Sequence, residues 1–126
     1  MTRLRPRLRA AAALLLLAGC TQGAEIRATV ISSEEIRFEV VHAPQGFCLL
    51  SASIVREGED AKDGGAALWE LRRHNGSQAP CPTRFAFPAV PQGYDVLGKP
   101  IPLAPGPYRL GVDGGAGLGE ARFTVP

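Results

Sequence analysis

Apolar and polar residues alternate along this chain in short runs, the period-2 pattern of half-buried β-strands. In Ile36-Arg37-Phe38-Glu39-Val40-Val41, Ile36, Phe38 and Val40 share one face and charged residues hold the other. Ile26–Ile31 precedes it, and Ser32-Ser33-Glu34 between the two reads as a hairpin turn. Pro44-Gln45-Gly46 leads into a third strand candidate, Phe47–Val55, followed by a polar loop over 57–65. Leu68–Arg73 is a fourth; Ala66–Arg73 are also helix formers, but short length and flanking glycines favour a strand. Phe85 with Phe87, then Tyr94–Leu97, give two more. Tyr108–Asp113 and Glu120–Val125 flank a glycine-rich connection and predict a closing hairpin. Seven or eight short strands without a convincing helix predict an all-β domain, a single antiparallel β-sandwich.

The first nineteen residues break this pattern. They hold Arg3, Arg5, Arg7 and Arg9, then an apolar run, Ala10–Ala18, and no acidic residue. A run of about nine residues is too short for a spanning helix, which needs roughly twenty. The arrangement is that of an export signal. It also changes the charge. Of 14 Lys and Arg, 10 remain after the leader against 12 Asp and Glu, so +2 becomes −2. A basic nucleic-acid binder is therefore excluded in its simplest form.

Leu17-Ala18-Gly19-Cys20 ends the leader and resembles the lipobox of bacterial lipoprotein precursors. The resemblance implies removal of residues 1–19, acylation of Cys20, a lipidated tether over 20–24, and a β-domain over 25–126. It also implies an anchor in the cell envelope. With Thr21 rather than Asp after the cysteine, the outer membrane facing the periplasm is expected. Two or three acyl chains, at roughly 0.8 kcal/mol per buried methylene, suffice for stable anchoring. Once Cys20 is assigned to lipid, Cys48 and Cys81 remain as an even pair in an exported domain, where a disulfide is the default. A metal site with His42 and His74 is the rival, though neither C-x₂₋₄-C nor H-x₃₋₅-H spacing occurs.

Leu103-Ala104-Pro105-Gly106-Pro107-Tyr108 resembles the tyrosine corner of immunoglobulin-like sandwiches, in which the Tyr hydroxyl bonds back to the main chain. Cys81 precedes Tyr108 rather than closely following it, so the bridge departs from the immunoglobulin pattern. As a whole the chain resembles small proteobacterial lipoproteins with a compact β-domain, a group that brings no activity to transfer.

Candidate chemistry is sparse. Gly114–Gly119 lacks the following helix and Lys-Ser/Thr of a phosphate loop and reads as a hairpin connection. Glu57, Glu59, Asp60 and Asp63 lack calcium-loop spacing. No G-x-S-x-G accompanies the serines, and Asn75-Gly76-Ser77 reads as a turn. Trp69 is either core or, with Arg72 and Arg73, a binding surface toward protein, anionic lipid or glycan. The expectation is a non-enzymatic binding or structural module, with no catalytic residue, cofactor or metal and an unidentified envelope protein as partner. The alternative is a small enzyme or metal handler using His42, His74 and the cysteine pair.

Overall fold

The computed structural model describes residues 23–58, 67–98 and 101–126. The leader, Cys20, and all but Glu57 of the acidic loop candidates lie outside the described residues, as does most of the tether.

Among the described residues the fold is all-β and has eight strands. They are β1 (Ala24–Ser32), β2 (Glu35–His42), β3 (Ser51–Arg56), β4 (Ala67–Arg73), β5 (Arg84–Phe87), β6 (Tyr94–Leu97), β7 (Gly106–Asp113) and β8 (Leu118–Val125). Ala24, assigned to the tether from sequence, is thus the first residue of β1. The two hairpins expected from alternation form as antiparallel pairs, β1 with β2 and β7 with β8. The segment over 67–73 is strand rather than helix.

All eight strands join one hydrogen-bonded sheet in the order β5-β2-β1-β8-β7-β3-β4-β6. It is not purely antiparallel. β1 and β8 run parallel through Ala24↔Gly119 and Glu25↔Glu120, which makes the sheet mixed. This pairing is two residues long and connects the ends of the chain, so no local turn signal announces it. The third strand is also shorter than the apolar run suggested. Residues 47–50 are loop, with Cys48 and Leu50 N–H groups donating to the Gly114 and Asp113 carbonyls at 3.1 and 2.8 Å.

The sheet curls until its two wings face one another. Trp69 on β4 and Phe87 on β5 are six strand positions apart, roughly 29 Å in a flat sheet at about 4.8 Å per step, yet their ring centroids are 5.4 Å apart. Phe38 on β2 meets Phe123 on β8 edge-on at 5.8 Å. Inside the curl lie Ile36, Leu49, Ile54, Trp69, Leu71, Tyr108 and Leu110, each at most 1% exposed. Each fully buried aliphatic or aromatic side chain stabilises the fold by roughly 1.5–3 kcal/mol. Alternation supplies this face along β7 and β8, where Tyr108, Leu110, Val112, Ala121, Phe123 and Val125 all point inward. A register shift between Ile54 and Val55 lets consecutive residues of β3 both be buried. The sheet edges, β5 and β6, have four residues each, a length that limits edge-to-edge pairing.

Candidate functional site

Strand direction gathers most of the chemistry-bearing residues at one end of the sheet. The chain enters there at Gly23–Ala24, beside Leu118–Gly119. β2 ends there at His42, which is in register with Glu25. The start of β3 meets the end of β4 through Ser51↔Arg72, and the end of β7 through Ser51↔Asp113. Arg73↔Tyr94 adds the start of β6. The loops 43–50, 74–83 and 114–117 therefore converge on the end where the chain enters.

These loops are pinned. Cys48 and Cys81 form a disulfide with Cα atoms 5.2 Å apart, joining the loop before β3 to the loop after β4. Arg73 fastens the same loop from inside. One terminal nitrogen donates to the Tyr94 hydroxyl at 3.2 Å, and the other to the Ser77 carbonyl at 3.3 Å and to the Ala79 carbonyl. Its guanidinium also lies 5.5 Å from the Tyr94 ring centroid. The Tyr94 hydroxyl in turn donates to the Leu49 carbonyl, which closes the circuit back to Cys48. Two glycines permit this packing. A Cβ on Gly93 would sit 2.8 Å from Ala79 Cβ, and one on Gly114 would collide with the Phe47 ring.

Two concavities border this end. A cleft of about 390 Å³ lies between Leu50, Arg72, His74 and the Asn75-Gly76-Ser77 turn. Arg72 Nε donates to Glu70 at 2.8 Å, and its terminal nitrogens have no partner among the described residues. His74 Nε2 pairs with Asp95 Oδ1 at 2.7 Å. A shallower groove of about 640 Å³ runs along the outer face of β3, β7 and β8. Its floor includes Ser51, Ser53 and Gly111, and its wall includes Arg109 and Glu120, whose charged atoms are 4.0 Å apart.

The proposed surface of Trp69, Arg72 and Arg73 does not assemble. Trp69 is 1% exposed and packs on Phe87, while Arg73 turns toward the loops it fastens. Arg72 alone faces solvent, with a side chain 64% exposed. The reason is strand periodicity, which puts Trp69, Leu71 and Arg73 on one face of β4 and Leu68, Glu70 and Arg72 on the other. Trp69 Nε1 is buried and has no hydrogen-bond partner among the described residues. The sequence named Arg73 and Tyr94 but not their part in fastening the loops, and that same alternation was the available signal for Arg73.

Tyr108 lies at the opposite end of the sheet, near the start of β7. Its hydroxyl donates to the Ala104 carbonyl at 2.6 Å, four residues upstream, and Leu103 N–H donates to the Ser33 carbonyl at 2.9 Å. His42 ends β2 and His74 opens the loop after β4, both exposed, and the cysteines that were to complete their metal site are bonded to each other. No group of three or more His, Cys, Asp or Glu suited to a metal occurs among the described residues. No helix among them is long and apolar enough to cross a membrane. No family model, curated protein or solved structure matches the chain.

Proposed function

We propose that this protein is a lipid-anchored binding or structural module of the bacterial envelope, held at Cys20 and without a catalytic role. The observation that carries the reading is the allocation of the three cysteines. Cys48 and Cys81 form a disulfide, a pairing suited to an oxidising compartment, and the cysteine left over is the one in Leu17-Ala18-Gly19-Cys20. The expected location is the outer membrane, facing the periplasm. An enzyme or metal handler built on His42 and His74 is less well supported, because the bridge occupies both thiolates.

The domain reads as an immunoglobulin-like β-sandwich whose two layers are the wings of the curled sheet. The face-to-face aromatic contacts and the Tyr108 hydroxyl bond to Ala104, placed as in a tyrosine corner, support this reading. The partner is an envelope protein, and the groove over Ser53 and Gly111 is the surface assigned to it. A Cβ at Gly111 meets nothing within 4 Å, so Gly111→Tyr projects a side chain into the groove.

Growth with an alkyne-bearing fatty acid tests the anchor. The wild-type chain takes up the label and fractionates with membranes, and Cys20→Ala does neither. Membrane association of an unlabelled, mature-sized Cys20→Ala chain contradicts the anchor. Crosslinking in intact cells tests the partner: a protein captured by wild type and lost from Gly111→Tyr supports the groove, and an unchanged capture pattern assigns the partner elsewhere.

A further inference from the structure

We infer that the end of the fold where the chain enters is a bilayer-docking surface, seated on the membrane that holds the anchor. Leu50 and Leu118 enter the acyl boundary, and Arg72 faces the head-group phosphates. The inference rests on the lipid-anchored reading of Cys20. It adds that the domain contacts the membrane through a defined face rather than swinging on its tether.

Chain length supplies the first argument. Cys20 lies three residues before Gly23, a separation of at most about 11 Å. β1 has nine residues, roughly 30 Å at about 3.3 Å each, so the opposite end cannot approach the anchor point as closely. An acyl chain on Cys20 therefore holds the entry end against the head groups.

Surface chemistry supplies the second. Leu118 is 68% exposed and Leu50 44%, and both stand at the entry end. They belong to one rim. Leu118 abuts Gly23, and Leu50 lies against Gly115 in the loop that leads to Leu118. Beside Leu50 opens the cleft carrying Arg72, whose terminal nitrogens lack partners among the described residues and suit phosphate oxygens. Apolar side chains with adjacent cations are the composition of an interfacial contact on anionic lipid. Both ends expose apolar residues and carboxylates, Ile31, Leu97 and Ile101 with Glu34, Glu35 and Glu57 at the far end and Glu25, Asp95 and Asp113 at the entry end, so the reach of the anchor decides which end meets the bilayer.

The test uses the full acylated protein in phosphatidylethanolamine–phosphatidylglycerol vesicles containing lipids brominated along the acyl chain. Leu118→Trp places a reporter at the rim and Ile31→Trp a control at the far end, while native Trp69 is buried and common to both. Docking predicts quenching at least twofold greater for Leu118→Trp than for Ile31→Trp. Adding Leu50→Asp and Arg72→Glu to Leu118→Trp abolishes the excess without changing the acylated mass. Equal quenching at both positions, or an excess that survives those two changes, overturns docking. Unquenched fluorescence with a dimer in sedimentation assigns the rim to a second copy instead. A protein mass without acyl chains overturns the anchor itself and is read independently of the fluorescence.

Discussion

The two ends of the sheet are built differently. At the entry end, a disulfide and the Arg73–Tyr94–Leu49 hydrogen-bond circuit tie two loops and the start of β6 together. At the other end, the ties of the crossover into β7 among the described residues are the Tyr108 hydroxyl on Ala104 and a main-chain bond from Leu103 to Ser33. A covalent link and a charged, part-buried donor hold irregular backbone more firmly than one neutral hydroxyl does. The firmer end is the one that faces the proposed anchor. A tethered domain needs rigidity there if a fixed face is to meet the membrane, whereas the far end needs only to close the core.

Four variants break or sharpen that contrast. Removing the bridge with Cys48→Ala and Cys81→Ala has the largest effect. The bridge spans a sequence separation of 33. Its loss costs about 3–4 kcal/mol in the chain-entropy model, readable as a lower urea midpoint. Hydrogen exchange should rise in loops 43–50 and 74–83 and stay unchanged over 101–106. Arg73→Ala comes next, at about 2 kcal/mol, because charged hydrogen bonds to part-buried carbonyls are lost. A loss as small as that of an exposed arginine would show that the circuit does not hold the loop. Tyr108→Phe removes one hydroxyl at the far end and costs about 1 kcal/mol in urea or thermal unfolding. If it matches Arg73→Ala, the two ends are equally held and the contrast fails. Leu118→Asp is smallest, within about 0.5 kcal/mol, since the side chain is largely exposed. Its effect belongs to vesicle contact rather than to stability.

The fold class was legible because half-buried strands write their burial directly into the sequence. Ile36, Phe38 and Val40 opposite Arg37 and Glu39 leave one reading, and the turns at Ser32–Glu34 and Gly114–Gly117 fix both hairpins. The disulfide was legible by counting, once one cysteine was set aside for lipid. The parallel contact of β1 with β8 was not. It joins residues nearly a hundred positions apart through two pairs, and neither local propensity nor turn chemistry encodes it. Residues 47–50 misled for a related reason. They are apolar enough for a strand, but their backbone bonds go to the end of β7 and the loop beyond it. Of the two readings of Trp69 the core one holds, and period 2 already placed Arg72 on the face opposite Trp69 and Arg73. The groove over Gly111 depends on a missing side chain with space above it, which requires the neighbouring strands to be in place.

The most direct test of the central claim is the intact mass of the chain extracted from membranes and alkylated without prior reduction. The account predicts a chain beginning at Cys20, heavier by a diacylglyceryl group with or without an amide-linked acyl chain. It should be two hydrogens lighter for the Cys48–Cys81 bridge and carry no alkylating group. A chain without acyl mass, alkylated at Cys20 or retaining residues 1–19, would contradict it.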